Sequence, residues 1–334
     1  MSIIEVNRLS KEFQIAKRQE GIKGALQSLF HREYTTKLAV QDISFAVNAG
    51  EIVGYIGPNG AGKSTTIKML TGILVPTSGD IRVNGLIPYK ERQKNARQIG
   101  VVFGQRTQLW WDLPTIESFE LLRQVFQIPK EQYRRNMARF SEILGLEEFL
   151  QTPVRQLSLG QRMRADIAAS LLHDPVILFL DEPTIGLDVV AKERMRSFIR
   201  EINREREVTV ILTTHDMSDI EKLCQRMILI DHGQVMYDGE LAKIKERFGK
   251  QRVLILDLEE ESVAFSIKGA KVIQQAGNRK WLQFNRDEMS AAQLISRISE
   301  NYEIKDLSIQ DPEIEVMIRH IYESGLDEVL IAST

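Results

Sequence analysis

The feature that most constrains this 334-residue chain is a glycine-rich run between two segments of different pattern. The run consists of Gly57, Pro58, Asn59, Gly60, Ala61, Gly62, Lys63, Ser64 and Thr65. A strand-like segment, 52–56, precedes it and a helical pattern begins at Ser64, so its backbone N–H groups are predicted to lie at a helix N-terminus. Such a turn binds a nucleoside triphosphate: Lys63 reaches the β- and γ-phosphates, and the Ser64 hydroxyl binds the accompanying Mg²⁺.

Two further strand-like segments end in polar side chains. Residues 176–180 lead into Asp181 and Glu182, and residues 208–214 lead into His215. Such runs are typical of strands that are buried on both faces of a parallel sheet. Open sheets of this kind bind ligands beyond the carboxyl ends of their strands, which predicts an α/β fold with these groups in one crevice. There Asp181 would hold the metal, and Glu182 would orient or deprotonate a water molecule.

A third motif, Leu157-Ser158-Leu159-Gly160-Gln161, is followed by a basic helical segment. With it, the order of parts over about residues 1–240 resembles the nucleotide-binding subunits of ABC transporters. The matching parts are the phosphate loop, Gln105, this signature, Asp181-Glu182, Gly186-Leu187-Asp188 and His215. The resemblance implies a P-loop NTPase fold of the ABC ATPase type, with a helical subdomain at about 106–172, that binds and hydrolyses ATP with Mg²⁺.

The resemblance also implies a role for each matching residue. Residues 57–65 bind the phosphates, with Lys63 stabilising charge on the transferred group. Glu182 is the catalytic carboxylate, and His215 contacts the γ-phosphate. Gln105 senses both the metal and the transmembrane partner. The residues that manage the metal are Ser64, Gln105 and Asp181.

In this family the phosphate loop and the signature of one chain serve different nucleotides, so the resemblance implies a dimer. Ser158, Gly160 and Gln161 would close on the γ-phosphate held by the other subunit. Asp188 would communicate between the two sites. Because the chain has one set of each motif, a head-to-tail homodimer with two equivalent sites is expected, and a related ATPase subunit is the alternative partner.

Two departures from the family pattern affect the site. Leu159 stands where the family usually has glycine; a positive φ there would cost on the order of 1–2 kcal/mol of strain. The Gln loop is also one residue longer than usual. Gln105 is preferred as its glutamine because Leu109 and Leu113 then occupy apolar family positions, and Gln108 is the alternative.

An insertion at about 16–37 separates the first two strands of the resemblance. Residues 21–34 are basic, with an apolar helical stripe of Ile22, Leu26, Leu29 and Phe30. The stripe would lie on a membrane or a permease, or pack on its own domain. The insertion also leaves two candidates for the aromatic side chain that stacks on adenine in this family, Phe13 and Tyr34, of which Tyr34 has the better spacing.

Residues 106–172 are mostly helical by pattern, with an apolar stripe of Ile116, Phe119, Leu122 and Phe126. In the family this arm meets the membrane subunit. Trp110, Trp111 and Leu113 near its start are candidates for that contact, and core packing is the alternative.

Beyond about residue 240 the pattern changes to short strands and two helices, which predicts a separate α+β domain over 241–334. The predicted strands are 253–258, 263–267, 271–275, 281–284 and 304–309, with helices at 241–248 and 291–302 and another beginning at Asp311-Pro312. We expect an accessory or dimerisation element. It resembles the C-terminal extension of ATPases that drive ABC-2 type exporters.

Composition limits the other classes of function. The net charge of −2 offers no general attraction for nucleic acid, so no nucleic-acid partner is expected. Apolar runs fall short of the ~20 residues that span a bilayer, and the N-terminus does not resemble a signal peptide, so the chain is expected to be soluble by itself. The single cysteine, Cys224, excludes an internal disulfide, as is usual in a reducing cytosol, and is expected to be buried.

Together these features predict an ATPase subunit that powers transport, with export favoured, through separate membrane permease subunits at the cytoplasmic face of the plasma (inner) membrane. The alternative is a soluble ABC ATPase that acts on a ribosome or nucleic-acid complex. Such proteins usually carry two ATPase units or a long coiled-coil insertion, neither of which is evident here. A binding module with a degenerate site is less consistent with Glu182 and His215.

Overall fold

A computed structural model describes residues 1–16, 34–104, 106–260 and 265–324. The chain divides into two compact units, Met1–Gly239 and Glu240–Thr334. The larger part of the predicted insertion, 17–33, and the predicted glutamine Gln105 lie outside the described residues. The two ends of the insertion belong to strands.

A six-stranded sheet with the order β5-β6-β7-β3-β8-β9 forms the centre of the first unit. Its strands are β3 (Ile52–Ile56), β5 (Ile99–Phe103), β6 (Ile177–Asp181), β7 (Thr209–Thr213), β8 (Arg226–Asp231) and β9 (Gln234–Glu240). The pairs β5–β6, β6–β7, β7–β3 and β3–β8 are parallel. Residues 177–180 and all of β7 are buried, which confirms the interpretation of these runs as strands covered on both faces.

A second, antiparallel sheet has the order β2-β1-β4, with β1 (Ser2–Ala16), β2 (Tyr34–Asn48) and β4 (Ser78–Val83). Its buried side chains share one core with the parallel sheet and with the first helix. Members from the three elements include Val6, Phe45, Tyr55, Ile67 and Phe179. This shared core positions the helix that follows the phosphate loop.

The helices of the first unit are α1 (Lys63–Leu70), α2 (Arg92–Ala96), α3 (Thr115–Phe126), α4 (Lys130–Leu144), α5 (Leu159–Leu171), α6 (Val189–Arg206) and α7 (Met217–Leu223). Helices α3, α4 and α5 make up the predicted helical arm. Phe119 and Leu122 of the predicted stripe on α3 are buried, whereas Phe126 is half-buried and stacks on His173. Cys224, just after α7, is buried as expected.

The second unit contains a four-stranded antiparallel sheet with the order β11-β12-β10-β13. Its elements are α8 (Leu241–Phe248), β10 (Gln251–Leu258), β11 (Lys271–Ala276), β12 (Arg279–Asn285), α9 (Ala291–Ser299), β13 (Ile304–Gln310) and α10 (Ile314–Ser324). The strand predicted at 263–267 is wrong for residues 265–267, which pair with no strand. Phe265 is buried instead as a loop residue against Tyr302, with ring centres 4.7 Å apart.

Among the described residues no helix is both long and apolar enough to cross a membrane.

Candidate functional site

The phosphate loop connects β3 to α1 at the carboxyl edge of the parallel sheet. Gly62 is the N-cap of α1, and no side chain bonds to the first turn. The N–H groups of that turn lack helical acceptors by geometry, so they are available to an anion. Lys63 is buried, and its Nζ donates to the carbonyl oxygens of Gly57 at 2.5 Å and Pro58 at 3.1 Å. This arrangement fits phosphate groups.

The shape of this turn depends on Gly62. Its φ is +108°, and a Cβ there would lie 2.5 Å from the backbone oxygen of Ala39. We expect Gly62→Ala to lower the affinity for ATP at least about tenfold, because a backbone clash adds to the strain of the left-handed conformation. Titration with a fluorescent ATP analogue measures the change. Gly85→Ala is the matched control, since Gly85 has φ +78° with no atom near the added carbon; equal loss in both variants would contradict the prediction.

The side chains of Ser64 and Asp181 bring two oxygen atoms together at the carboxyl edge of the parallel sheet. Oγ of Ser64 lies 3.4 Å from Oδ2 of Asp181, and the hydroxyl of Thr213 donates to Oδ1 of Asp181. The described residues contain no cluster of three or more His, Cys, Asp or Glu side chains that could hold a metal. A pair of oxygen donors suits Mg²⁺, which usually binds one or two protein ligands and completes its shell with water and phosphate.

Glu182 and His215 lie together at the ends of adjacent strands. Oε1 of Glu182 is 3.2 Å from the ring nitrogen Nε2 of His215, and the backbone N–H of His215 donates to Oε2 at 3.3 Å. Oε1 is buried against the His215 ring, and no described residue donates a hydrogen bond to it. Glu182 also has a left-handed φ of +56°, which is uncommon for a residue with a Cβ and frequent at functional sites.

The ionisable groups of the site perturb one another. Burial raises the pKa of Glu182, while the charges of His215 and Lys63 act against that rise. Burial lowers the pKa of Lys63, and the nearby Glu182 and Asp181 carboxylates act in the opposite direction. Oppositely perturbed groups at one sheet edge are typical of a catalytic site.

The segment that carries the predicted glutamine adjoins these carboxylates. The N–H of Gly104, next to Gln105, donates to the carbonyl oxygen of Asp181 at 2.7 Å. The alternative, Gln108, uses its side-chain amide to donate to the main-chain oxygen of Asp166 at 2.9 Å. That bond commits Gln108 to helix α5 and supports the preference for Gln105.

The signature lies at the start of α5, where Ser158 and Gln161 form a capping box. The Gln161 N–H donates to Ser158 Oγ at 3.2 Å, and the Ser158 N–H donates to Gln161 Oε1 at 2.9 Å. Leu159 is the first residue of this helix and has no left-handed backbone, so the strain that a positive φ would cost is absent. Its side chain instead packs where a Cβ on Gly186 would stand, 2.3 Å from that position.

Asp188 caps helix α6, accepting a hydrogen bond from the Ala191 N–H at 2.8 Å. Val189 and Val190, which follow it, are strongly exposed, and Ile185 before it is exposed as well. The loop around Asp188 therefore presents apolar side chains beside the exposed Leu159.

The two candidates for the adenine contact lie on paired strands. Phe13 pairs with Lys37, and Tyr34 pairs with Ala16, so the alternation of the register puts the two aromatic residues on opposite faces of the ribbon. Both are exposed, and the Lys11 ammonium lies 5.3 Å from the centre of the Phe13 ring. Only one of them can approach adenine from a given side.

Sequence reasoning missed a buried network behind Glu182 and His215. Asp219, on α7, is fully buried and accepts hydrogen bonds from Arg196, Thr184 and Thr214. Thr184 comes two residues after Glu182, and Thr214 immediately precedes His215. The network therefore joins the two segments that carry Glu182 and His215. A lone aspartate in a short helix has no spacing that would have revealed this role.

A phosphate-binding turn facing two carboxylates at the edge of a parallel sheet defines the chain as a P-loop nucleoside triphosphatase.

Comparison with known proteins extends this assignment. The profile of the ABC transporter family matches residues 40–185. The ABC transporter ATP-binding protein NatA of Bacillus subtilis is 33% identical over 208 residues, which are 62% of this chain and 84% of NatA. The linearmycin resistance ATP-binding protein LnrL of the same organism is 33% identical over 236 residues, 71% of this chain and 75% of LnrL. The chain therefore belongs to the family of ABC transporter ATP-binding proteins.

The fold is similar to that of solved ATP-binding cassettes. The dimeric structure of the cassette MJ0796 bound to ADP and Pi has a TM-score of 0.58 and 26% identity, and the match covers 71% of this chain and 98% of that one. The predicted α/β P-loop fold is thus confirmed, and membership of the family makes the chain a nucleotide-binding ATPase subunit.

Proposed function

We propose that this chain is the motor of a transporter: two copies close head to tail around two Mg-ATP molecules, and hydrolysis reopens them. The observation that carries the proposal is the arrangement of Ser64, Asp181, Glu182 and His215 around the end of the phosphate loop. Bound Mg²⁺ would neutralise charge on the phosphates. Ser64 and Asp181, with Gln105, are the residues that would hold it.

In the proposed reaction Glu182 accepts the proton of the attacking water through Oε1, which receives no hydrogen bond from the described residues and which the His215 ring, 3.2 Å away, would have to uncover. Because burial raises the pKa of Glu182, its carboxylate is a stronger base than an exposed carboxylate. The backbone N–H of His215 fixes the orientation of Glu182, and His215 contacts the γ-phosphate. Lys63 and the backbone amides of 57–65 stabilise the charge on the transferred group.

The signature supports the head-to-tail arrangement. Ser158 and Gly160 lie at the N-terminus of the 13-residue helix α5, which favours an anion. Exposed apolar side chains border this end of the helix, namely Leu159, Ile185, Val189 and Val190. A second copy of the chain would cover them, as the dimeric assembly of the similar cassette MJ0796 suggests.

The permease is proposed to bind the helical arm. Trp110 and Trp111 at its start are 41% and 50% exposed, which disfavours the core-packing alternative for these two rings. Large exposed aromatic side chains commonly anchor protein interfaces. We place the complex at the cytoplasmic face of the plasma (inner) membrane.

Export is the proposed direction, on the resemblance to ATPases of ABC-2 exporters and the likeness to the resistance protein LnrL. The unit Glu240–Thr334 is proposed as an accessory or dimerisation element.

Steady-state ATP hydrolysis by the purified chain, alone and after coexpression with membrane proteins encoded beside it, tests the proposal. We expect turnover to rise about tenfold in the complex, because docking onto the permease would favour the closed dimer. Permease variants that cannot bind the chain are the control. Turnover indifferent to membrane proteins would overturn the proposal in favour of a soluble ABC ATPase.

A further inference from the structure

One face of α5 holds the segment that follows Gln105. Asp166 lies on this face, only 5% exposed, and its Oδ1 accepts hydrogen bonds from the Thr107 hydroxyl at 2.8 Å and the Gln108 N–H at 3.1 Å. The side-chain amide of Gln108 donates to the main-chain oxygen of Asp166 at 2.9 Å. A single helix residue thus makes three hydrogen bonds to two consecutive loop residues.

A second residue extends this contact along the same helix. The guanidinium of Arg162 lies 5.8 Å from the centre of the Trp111 ring. Arg162 and Asp166 are four residues apart, so they share a face of α5. Ser158, the N-cap of α5, lies one turn before Arg162. Therefore the helix that begins with the signature contacts the loop through its next two turns.

The segment that follows Gln105 is partly open to solvent at its far end, residues 110 and 111. Trp110 and Trp111 are exposed, although their backbone is attached to the arm: the Trp110 N–H donates to Ser118 Oγ at 3.2 Å and the Arg155 N–H donates to the Trp111 oxygen at 2.9 Å. The segment that ends in the exposed rings is therefore joined to α5 along one path, which consists of the Arg162–Trp111 contact and the hydrogen bonds of Asp166 to Thr107 and Gln108. Asp166 is the only buried carboxylate described on that path, and loss of its oxygens would leave two donors unpaired.

We propose that Asp166 is a positioning residue that clamps residues 106–111 to α5, so that displacement of the exposed tryptophans by a membrane subunit also moves Ser158 and Gly160. The transmission of movement rests on the proposed function, whereas the clamp itself does not.

Tryptophan fluorescence tests the clamp in the isolated full-length chain. In a Trp281→Phe background only Trp110 and Trp111 remain. We expect Asp166→Ala to raise the acrylamide quenching constant about twofold, because the released loop exposes both rings. Asp166→Asn, which keeps an acceptor oxygen, should change it less. The matched control is Asp112→Ala, which removes an exposed carboxylate beside Trp111 and should leave quenching unchanged.

Thr107→Val keeps the carboxylate and tests the same contact if Asp166→Ala fails to fold; it should also raise quenching. If Asp166→Ala, or Thr107→Val where Asp166→Ala fails to fold, has the quenching constant of the parent, the clamp is overturned.

The transmission is tested by ATP hydrolysis in the coexpressed complex. Asp166→Ala and Thr107→Val should each reduce stimulation by the permease at least about threefold, while turnover of the chain alone stays within about twofold of the parent. Their effects should not add in the double variant, because both break one contact. Increased quenching with undiminished stimulation would overturn the transmission. Absence of stimulation in the parent would overturn the proposed function, while quenching still decides the clamp.

Discussion

Replacing Glu182 by glutamine should reduce ATP turnover about 100- to 10,000-fold and leave ATP binding within about threefold of the parent. Glutamine has nearly the same shape and can still accept the His215 N–H bond now made to Oε2. It cannot take a proton from water, so the chemical step loses its general base. The phosphate loop does not use this side chain, so the affinity for ATP should persist.

Phosphate release under saturating ATP, together with binding of a fluorescent ATP analogue, measures the two effects separately. Glu142→Gln is the matched control, since Glu142 is an exposed carboxylate on α4 and should give parental turnover. If closure requires ATP and reopening requires hydrolysis, Glu182→Gln should also accumulate an ATP-dependent dimer in size-exclusion chromatography. Turnover within about threefold of the parent would remove Glu182 from the catalytic role.

Replacing Asp219 by alanine should lower the free energy of unfolding of the first unit by about 3–5 kcal/mol. The fully buried Asp219 accepts a 2.7 Å hydrogen bond from Nε of Arg196, and Arg196 itself is only 4% exposed. Removal of the carboxylate leaves a buried guanidinium without its main counter-charge. It also leaves the hydroxyls of Thr184 and Thr214 without their acceptor.

Urea unfolding in the Trp281→Phe background follows the first unit, because Trp110 and Trp111 both belong to it. Asp80→Ala, at an exposed carboxylate on β4, is the control and should change stability by less than about 0.5 kcal/mol. The double variant Arg196→Met/Asp219→Leu should recover much of the loss, since it removes both charges. A loss below about 1 kcal/mol in Asp219→Ala would contradict the assigned importance of this ion pair.

Several features followed from sequence because local rules determine them. The runs at 52–56 and 176–180 are apolar without alternation, as strands need when both faces are covered, and they form β3 and most of β6. The phosphate loop likewise depends on consecutive residues, so its place before α1 was predictable. The adjacency of Glu182 and His215 was predicted from the general rule that parallel strands end at one edge of a sheet, and the pairing of β6 with β7 provides it.

Other features depended on partners far apart in the chain. Nothing in the local pattern distinguishes Asp166 or Asp219 from a solvated helix residue, since their partners lie 59 and 35 residues away, at Thr107 and Thr184. The backbone conformation of Leu159 did not follow from the family glycine at this position, because it depends on the capping box that begins a regular helix there. Residues 265–267 have a strand-like pattern, but Phe265 fills the core of the second unit from a loop.

The sequence by itself determined the class of fold, the phosphate loop and the types of chemical groups around it, because these depend on short-range periodicity and on motifs of adjacent residues. Tertiary structure alone decided which carboxylates are buried, which hydrogen bonds they accept and which aromatic side chains stay exposed. Those properties arise when the sheet and helices bring distant segments into one low-dielectric interior, where an unpaired polar group is costly and must find its partner.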